Sequence, residues 1–186
     1  MNDEKKKTIL KLARNTIESY VKDGVSHKFN TEDEELKQQN GAFVTLHKNG
    51  SLRGCIGLIE SDRPLYETIV DMSIQAARSD PRFPPVEKEE LDEIDIEVSI
   101  LTKPKKAASV DAVEPGKHGV IVKKGFASGV FLPQVADETG WTKEEFMENL
   151  CEGKAGLNKE AYKDPAASIY IFEADVFGEK DFDTGR

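Results

Sequence analysis

Cys55 lies in the run Arg53-Gly54-Cys55-Ile56-Gly57, two residues from a fixed positive charge and between two glycines. A thiol becomes a nucleophile when its thiolate is stabilised. A neighbouring cation does this, and apolar burial opposes it. Residues i and i+2 of a regular strand project to one side, so Arg53 is expected beside the Cys55 sulfur. Gly54 and Gly57 would leave space for a ligand or for another backbone. Cys55 and Arg53 are therefore the catalytic candidates, with Gly54 and Gly57 as binding candidates. An inert reading stands beside this one. Free cysteine is among the most buried residue types, Arg53 would then pair with a surface acid, and the glycines would mark a bulge. Cys151 falls on the inner stripe of a predicted helix and is expected to be structural.

A second cluster is Arg78-Ser79-Asp80-Pro81-Arg82-Phe83. A guanidinium held by a stiff loop clamps carboxylates or phosphates, which makes Arg78, Asp80, Arg82 and Phe83 binding candidates. The alternative is a local Arg–Asp ion pair that holds the loop while Phe83 plugs the core. Glu97 alternates with apolar residues in Ile94-Asp95-Ile96-Glu97-Val98-Ser99. On a cleft it would be a base or an arginine partner, and facing water it would be an ordinary solvated acid. His27, His47 and His118 are scattered, and no zinc-ligand spacing, Ser-His-Asp pattern or phosphate-binding glycine loop is present.

These residues need elements to hold them. Ile9, Leu12, Ala13, Ile17 and Tyr20 recur at helical period, and Gly24 ends that helix. Residues 25–40 are polar and irregular. Asn49-Gly50 between two apolar runs predicts a two-residue hairpin turn. The register is then His47–Leu52, Leu46–Arg53, Val44–Cys55 and Phe43–Ile56. Arg53, Cys55, Val44 and Leu46 would share one face.

Ser61-Asp62 is expected to cap a helix whose stripe is Leu65, Ile69, Met72 and Ala76, and which stops near Asp80 because Pro81 follows. Strands are predicted over 94–101, 118–123 and 130–132, with a turn over 125–129 and an edge or bulge at Pro133. Thr142 and Glu145 form a capping box with a Trp141–Phe146 staple, and Gly153 closes that helix. A single alternating strand is predicted over 168–176. Strands outnumber helices and come in neighbouring pairs, which predicts an α+β fold with a largely antiparallel sheet and flanking helices. The 186 residues suit one domain, with two lobes allowed and 178–186 as a flexible tail.

The formal charge is −9, and the basic residues are interleaved with acids. That argues against nucleic acid and anionic membrane as partners. No apolar run approaches the ~20 residues a membrane span needs, and the charged start lacks a signal-peptide pattern. The expected location is the cytoplasm.

Taken together, Leu52-Arg53-Gly54-Cys55-Ile56-Gly57, Ala76-Ala77-Arg78-Ser79-Asp80-Pro81-Arg82-Phe83-Pro84 and Glu97-Val98-Ser99 resemble the AMMECR domain family. So do Gly119-Val120-Ile121-Val122, Val130-Phe131-Leu132-Pro133-Gln134-Val135, Gly140-Trp141 and Leu150-Cys151 with Lys154-Ala155-Gly156-Leu157. The resemblance spans roughly residues 8–177. It implies an α+β protein with a larger and a smaller lobe and a groove between them, centred functionally on residues 53–57. It also implies association with a Memo-type dioxygenase-like protein and a radical S-adenosylmethionine protein in a modification system. This chain carries neither partner's motifs. Ala127 stands where the family pattern commonly has a basic residue, and Ala161 near where it has an aromatic, so the Ala127 turn is a weaker anion contact. The resemblance names no cofactor and no reaction. Two functions follow: a thiol enzyme or covalent carrier acting on a small molecule or peptide, or an adaptor whose groove docks a partner protein.

Overall fold

The computed structural model describes residues 1–26 and 28–182, so His27 lies outside the described residues. In chain order the elements are helix α1 (Asp3–Asp23), strands β1 (Ala42–Lys48) and β2 (Ser51–Leu58), and helix α2 (Leu65–Arg78). Strands β3 (Ile94–Leu101), β4 (Lys105–Lys106), β5 (Gly119–Lys124) and β6 (Ala127–Phe131) follow. Helices α3 (Gln134–Thr139) and α4 (Lys143–Asn149) and strands β7 (Ser168–Phe172) and β8 (Ala174–Gly178) complete the set. The fold is α+β. The expected single sheet is in fact two four-stranded sheets, ordered β2-β1-β3-β8 and β4-β7-β5-β6. The chain divides into two compact units: Met1–Leu101 with the return from Asp175, and Thr102–Ala174.

In the first unit, α1 begins where the Asn2 side chain accepts the Lys5 backbone N–H at 3.0 Å. It ends at Gly24, whose φ of +70° only glycine adopts cheaply. Its apolar stripe and that of α2 enter one core with Val44, Leu46, Ile96 and Val98. The expected Ser61-Asp62 cap of α2 is absent. Pro64 occupies the cap position without a side-chain bond. The first N–H groups of α2 are instead taken by loop carbonyls, Leu65 by Gln38 at 2.9 Å and Tyr66 by Leu36 at 3.2 Å. The loop before β1 thus serves as the cap, which is why its Leu36 is buried.

The hairpin turn is as expected, with Asn49 at φ +52° and Gly50 at +78°. The register is not. His47 pairs with Leu52, but Leu46 pairs with Gly54 and Thr45 with Cys55, so Arg53 is an extra residue. The physical reason is the approach of α2. A Cβ at position 54 would overlap the Ala76 carbonyl oxygen, so the glycine must face the helix. Cys55 is thereby turned away from Val44 and Leu46, onto the sheet's other face.

The second unit has its own core, containing Val120, Val122, Phe146, Met147, Leu150, Cys151 and Ile169. The Thr142–Glu145 capping box is present, and Trp141 packs against Phe131 with ring centroids 6.0 Å apart. Gly153 does not close α4. The helix runs on through it as a π-helical stretch, Leu150–Lys154. The edge expected near Pro133 is there, since β6 is an edge strand, and Pro133 itself lies beyond the strand at the cap position of α3. The β5–β6 turn is shorter than predicted, since Lys124 already pairs with Ala127. The strand predicted over 168–176 breaks at Glu173, and its halves join different sheets. The predicted tail is anchored over its first residues: Glu179 is buried and accepts from the Arg14 Nε at 2.9 Å and the Ile96 N–H at 2.9 Å.

Candidate functional site

The outer face of the first sheet carries three cross-strand rows through β1: Leu52–His47–Asp95, Cys55–Thr45–Glu97 and Gly57–Phe43–Ser99. Neighbours in such rows have Cβ atoms about 5 Å apart. Cys55 is half-buried, and its Sγ receives the Thr45 hydroxyl at 3.2 Å. Glu97 stands one strand further along the same row. Sequence reasoning overlooked Thr45, because only the shifted register places it opposite the thiol.

β2 is an edge strand, and its exposed backbone at Cys55 is occupied by the loop after α2. The Cys55 N–H donates to Asp80 Oδ2 at 2.8 Å, and the Cys55 carbonyl lies 3.5 Å from Arg82 Nη2. Asp80 is buried and also receives the Arg82 backbone N–H, Nε and Nη2, at 3.1, 2.9 and 2.7 Å. The Arg82 guanidinium, with the backbone donors, holds the Asp80 carboxyl far below the usual carboxylate range. Arg82's own pKa is raised, chiefly by Asp80 and to a smaller degree by Cys55. Its side chain is 54% exposed and stacks 5.5 Å over Phe83.

Arg53 has a different partner. Its Nε and Nη2 bind Glu90 at 2.9 and 2.7 Å, and its Nη1 donates to the Pro84 carbonyl at 2.9 Å. The guanidinium holds the Glu90 carboxyl at about 2. The guanidinium that reaches Cys55, at its carbonyl, is therefore that of Arg82, and Arg53 is a clamp between β2 and the loop before β3. Glu90 gave no signal in the sequence, because it sits in the acid-rich run Glu87–Glu90. Arg78 lies apart, bound to the Tyr20 hydroxyl at the end of α1. Gly57 gives its space to the Phe43 ring and Gly54 gives its space to α2, so both glycines admit the protein's own atoms. The structure brings Cys55, Asp80, Arg82 and Phe83 into one cluster, with Glu97 further along the Cys55 row.

Among the described residues no group of three His, Cys, Asp or Glu could hold a metal ion, and no helix is long and apolar enough to cross a membrane.

A profile of the AMMECR1 family matches residues 10–177. A protein of Methanothermobacter thermautotrophicus is 43% identical over 180 residues, covering 93% of each chain. A protein of Methanosarcina mazei is 44% identical over 183 residues, covering 94% of this chain and 91% of its own. The crystal structure of the uncharacterized protein PH0010 from Pyrococcus horikoshii matches with a TM-score of 0.89 at 38% identity, over 97% of this chain and 94% of that one. The chain belongs to the AMMECR1 family.

Proposed function

We propose that this is a cytoplasmic protein that uses Cys55 as a thiol nucleophile or covalent carrier for a small molecule or peptide. The observation that carries this reading is the Thr45 hydroxyl donating to a half-buried Cys55 Sγ on the sheet's outer face. That hydrogen bond orients the sulfur on the outer face of the sheet. Arg82 is the residue placed to hold an anionic group of the substrate near that sulfur, and Glu97 is the nearest acid along the row. By the family's associations, a Memo-type and a radical S-adenosylmethionine protein are the partners in a modification system. The test is alkylation by iodoacetamide followed by peptide mass spectrometry. Cys55 is expected to react at least about tenfold faster than Cys151, whose thiol burial pushes up, and Thr45→Val is expected to slow Cys55 alone. Equal rates, or indifference to Thr45, would remove the thiol role.

A second reading rests on Arg82 stacked over Phe83. Arginine and aromatic side chains are favoured anchors at protein interfaces. An adaptor built on them would keep its function in Cys55→Ser, whereas a carrier would lose it while still binding its partner.

A further inference from the structure

The second unit contains a cavity of about 300 Å³ lined by Thr102, Lys103, Lys105, His118, Ile171, Phe172 and Glu173. It is independent of the Cys55 reading, since none of its residues belongs to that site. Ile171 supplies the apolar wall on the sheet face it shares with Lys105, while the Phe172 ring lies on the other face, across Gly119. Lys105 pairs with Ile171 at the start of β4, which fixes one lysine at the rim. Pro104 stiffens the link to Lys103.

His118 is 7% exposed. Its Nδ1 accepts the Glu114 N–H at 3.1 Å, so in this arrangement the ring proton sits on Nε2. Among the described residues that donor finds only Glu173 Oε1, at 3.8 Å, beyond hydrogen-bond reach. Lys117 is 4.0 Å from the same carboxylate. Thr102 Oγ1 accepts the Glu173 N–H at 2.9 Å, which leaves its hydroxyl proton to donate. No ion pair holds Lys103 or Lys105 among the described residues. A histidine N–H, a hydroxyl and two lysines thus line one cavity beside Ile171, in an otherwise acidic protein.

We propose that this cavity binds a small organic acid, its carboxylate at the lysine–histidine end and its apolar body against Ile171. Glu173 stands beside that position and competes for the same donors.

The test is a titration of the whole ¹⁵N-labelled protein with benzoate, with benzyl alcohol as the uncharged control. Saturable shifts are expected at the amides of Lys105, Gly119, Phe172 and Glu173, with a dissociation constant in the millimolar range. The double variant Lys103→Gln/Lys105→Gln should weaken binding by about fivefold or more, as should His118→Gln, and Glu173→Gln should tighten it. The amide spectrum of each variant reports whether it has folded, and the Lys pair and Glu173 are exposed enough to replace without touching the core. The site is refuted if benzyl alcohol shifts the same amides equally, if benzoate does not saturate, or if the lysine variant binds unchanged.

Discussion

The two arginines that flank Cys55 in sequence have different tasks, and single substitutions should separate them. Arg53→Met leaves Glu90 with Lys48, at 3.2 Å, as its one cationic side-chain partner among the described residues. Removing one member of a buried pair costs about 3 kcal/mol, and this pair is slightly exposed, so a loss of about 2 kcal/mol in a urea melt is expected. Native-state alkylation of Cys55 should barely change. The Glu90 carboxyl has an ordinary value of 4.5 and lies at about 2 when folded. A depressed folded value means the stabilisation is complete above pH 4.5 and is lost as pH falls towards 2. The wild-type protein should therefore lose stability across that window more steeply than Glu90→Gln. Asp80, also depressed, adds its loss at the acid end of the same window. Gly54→Ala forces a methyl group into the Ala76 carbonyl. Overpacking of this kind costs about 1–3 kcal/mol, and a thermal melt should show it.

At the scale of elements, the parts that follow local period were readable. α1, the stripe of α2, the Asn49-Gly50 turn, β3 and the capping box at Thr142 all stand where their side-chain spacing puts them. What failed was set at a distance. The extra residue at Arg53 depends on α2 pressing against Gly54, and nothing near residue 53 announces a helix that starts at residue 65. The consequence was large, because a one-residue slip turns every later side chain over. It moved Cys55 from the aliphatic face to the side of Thr45. The split at Glu173 was invisible because alternation continues through it into the second sheet. The cap of α2 is not legible in the sequence because main-chain carbonyls of a loop, which carry no sequence signature, supply it. The return segment makes a testable claim of its own. Arg14 binds the carbonyls of Leu91 and Ile94, each at 2.8 Å, as well as Glu179. Glu179→Ala would leave that guanidinium and the Ile96 N–H without their carboxylate. A loss of about 3 kcal/mol is expected, together with faster amide exchange at Ile96.

For the whole molecule, the two units carry separate cores, and natural probes divide between them. Trp141, the chain's one tryptophan, and Cys151 both belong to the second unit. Cys55 belongs to the first. Along a urea series, the change in Trp141 fluorescence should coincide with the onset of Cys151 labelling, since both report loss of one core. A gap between the two midpoints would show that this unit opens in stages. The second unit leaves from Leu101 and rejoins at Asp175, and at its neck the Thr102 N–H donates to the Glu173 carbonyl at 2.9 Å. Its sheet is composed wholly of strands between those points, whereas the first sheet lacks β8 until the segment after Ala174 is made. During synthesis, which proceeds from the N-terminal end, the inserted unit is thus supplied with all its strands before its host. β7 completes the inner sheet before β8 reaches the outer one, and a chain ended at residue 174 and carried clear of the exit tunnel by an added linker should already protect Cys151.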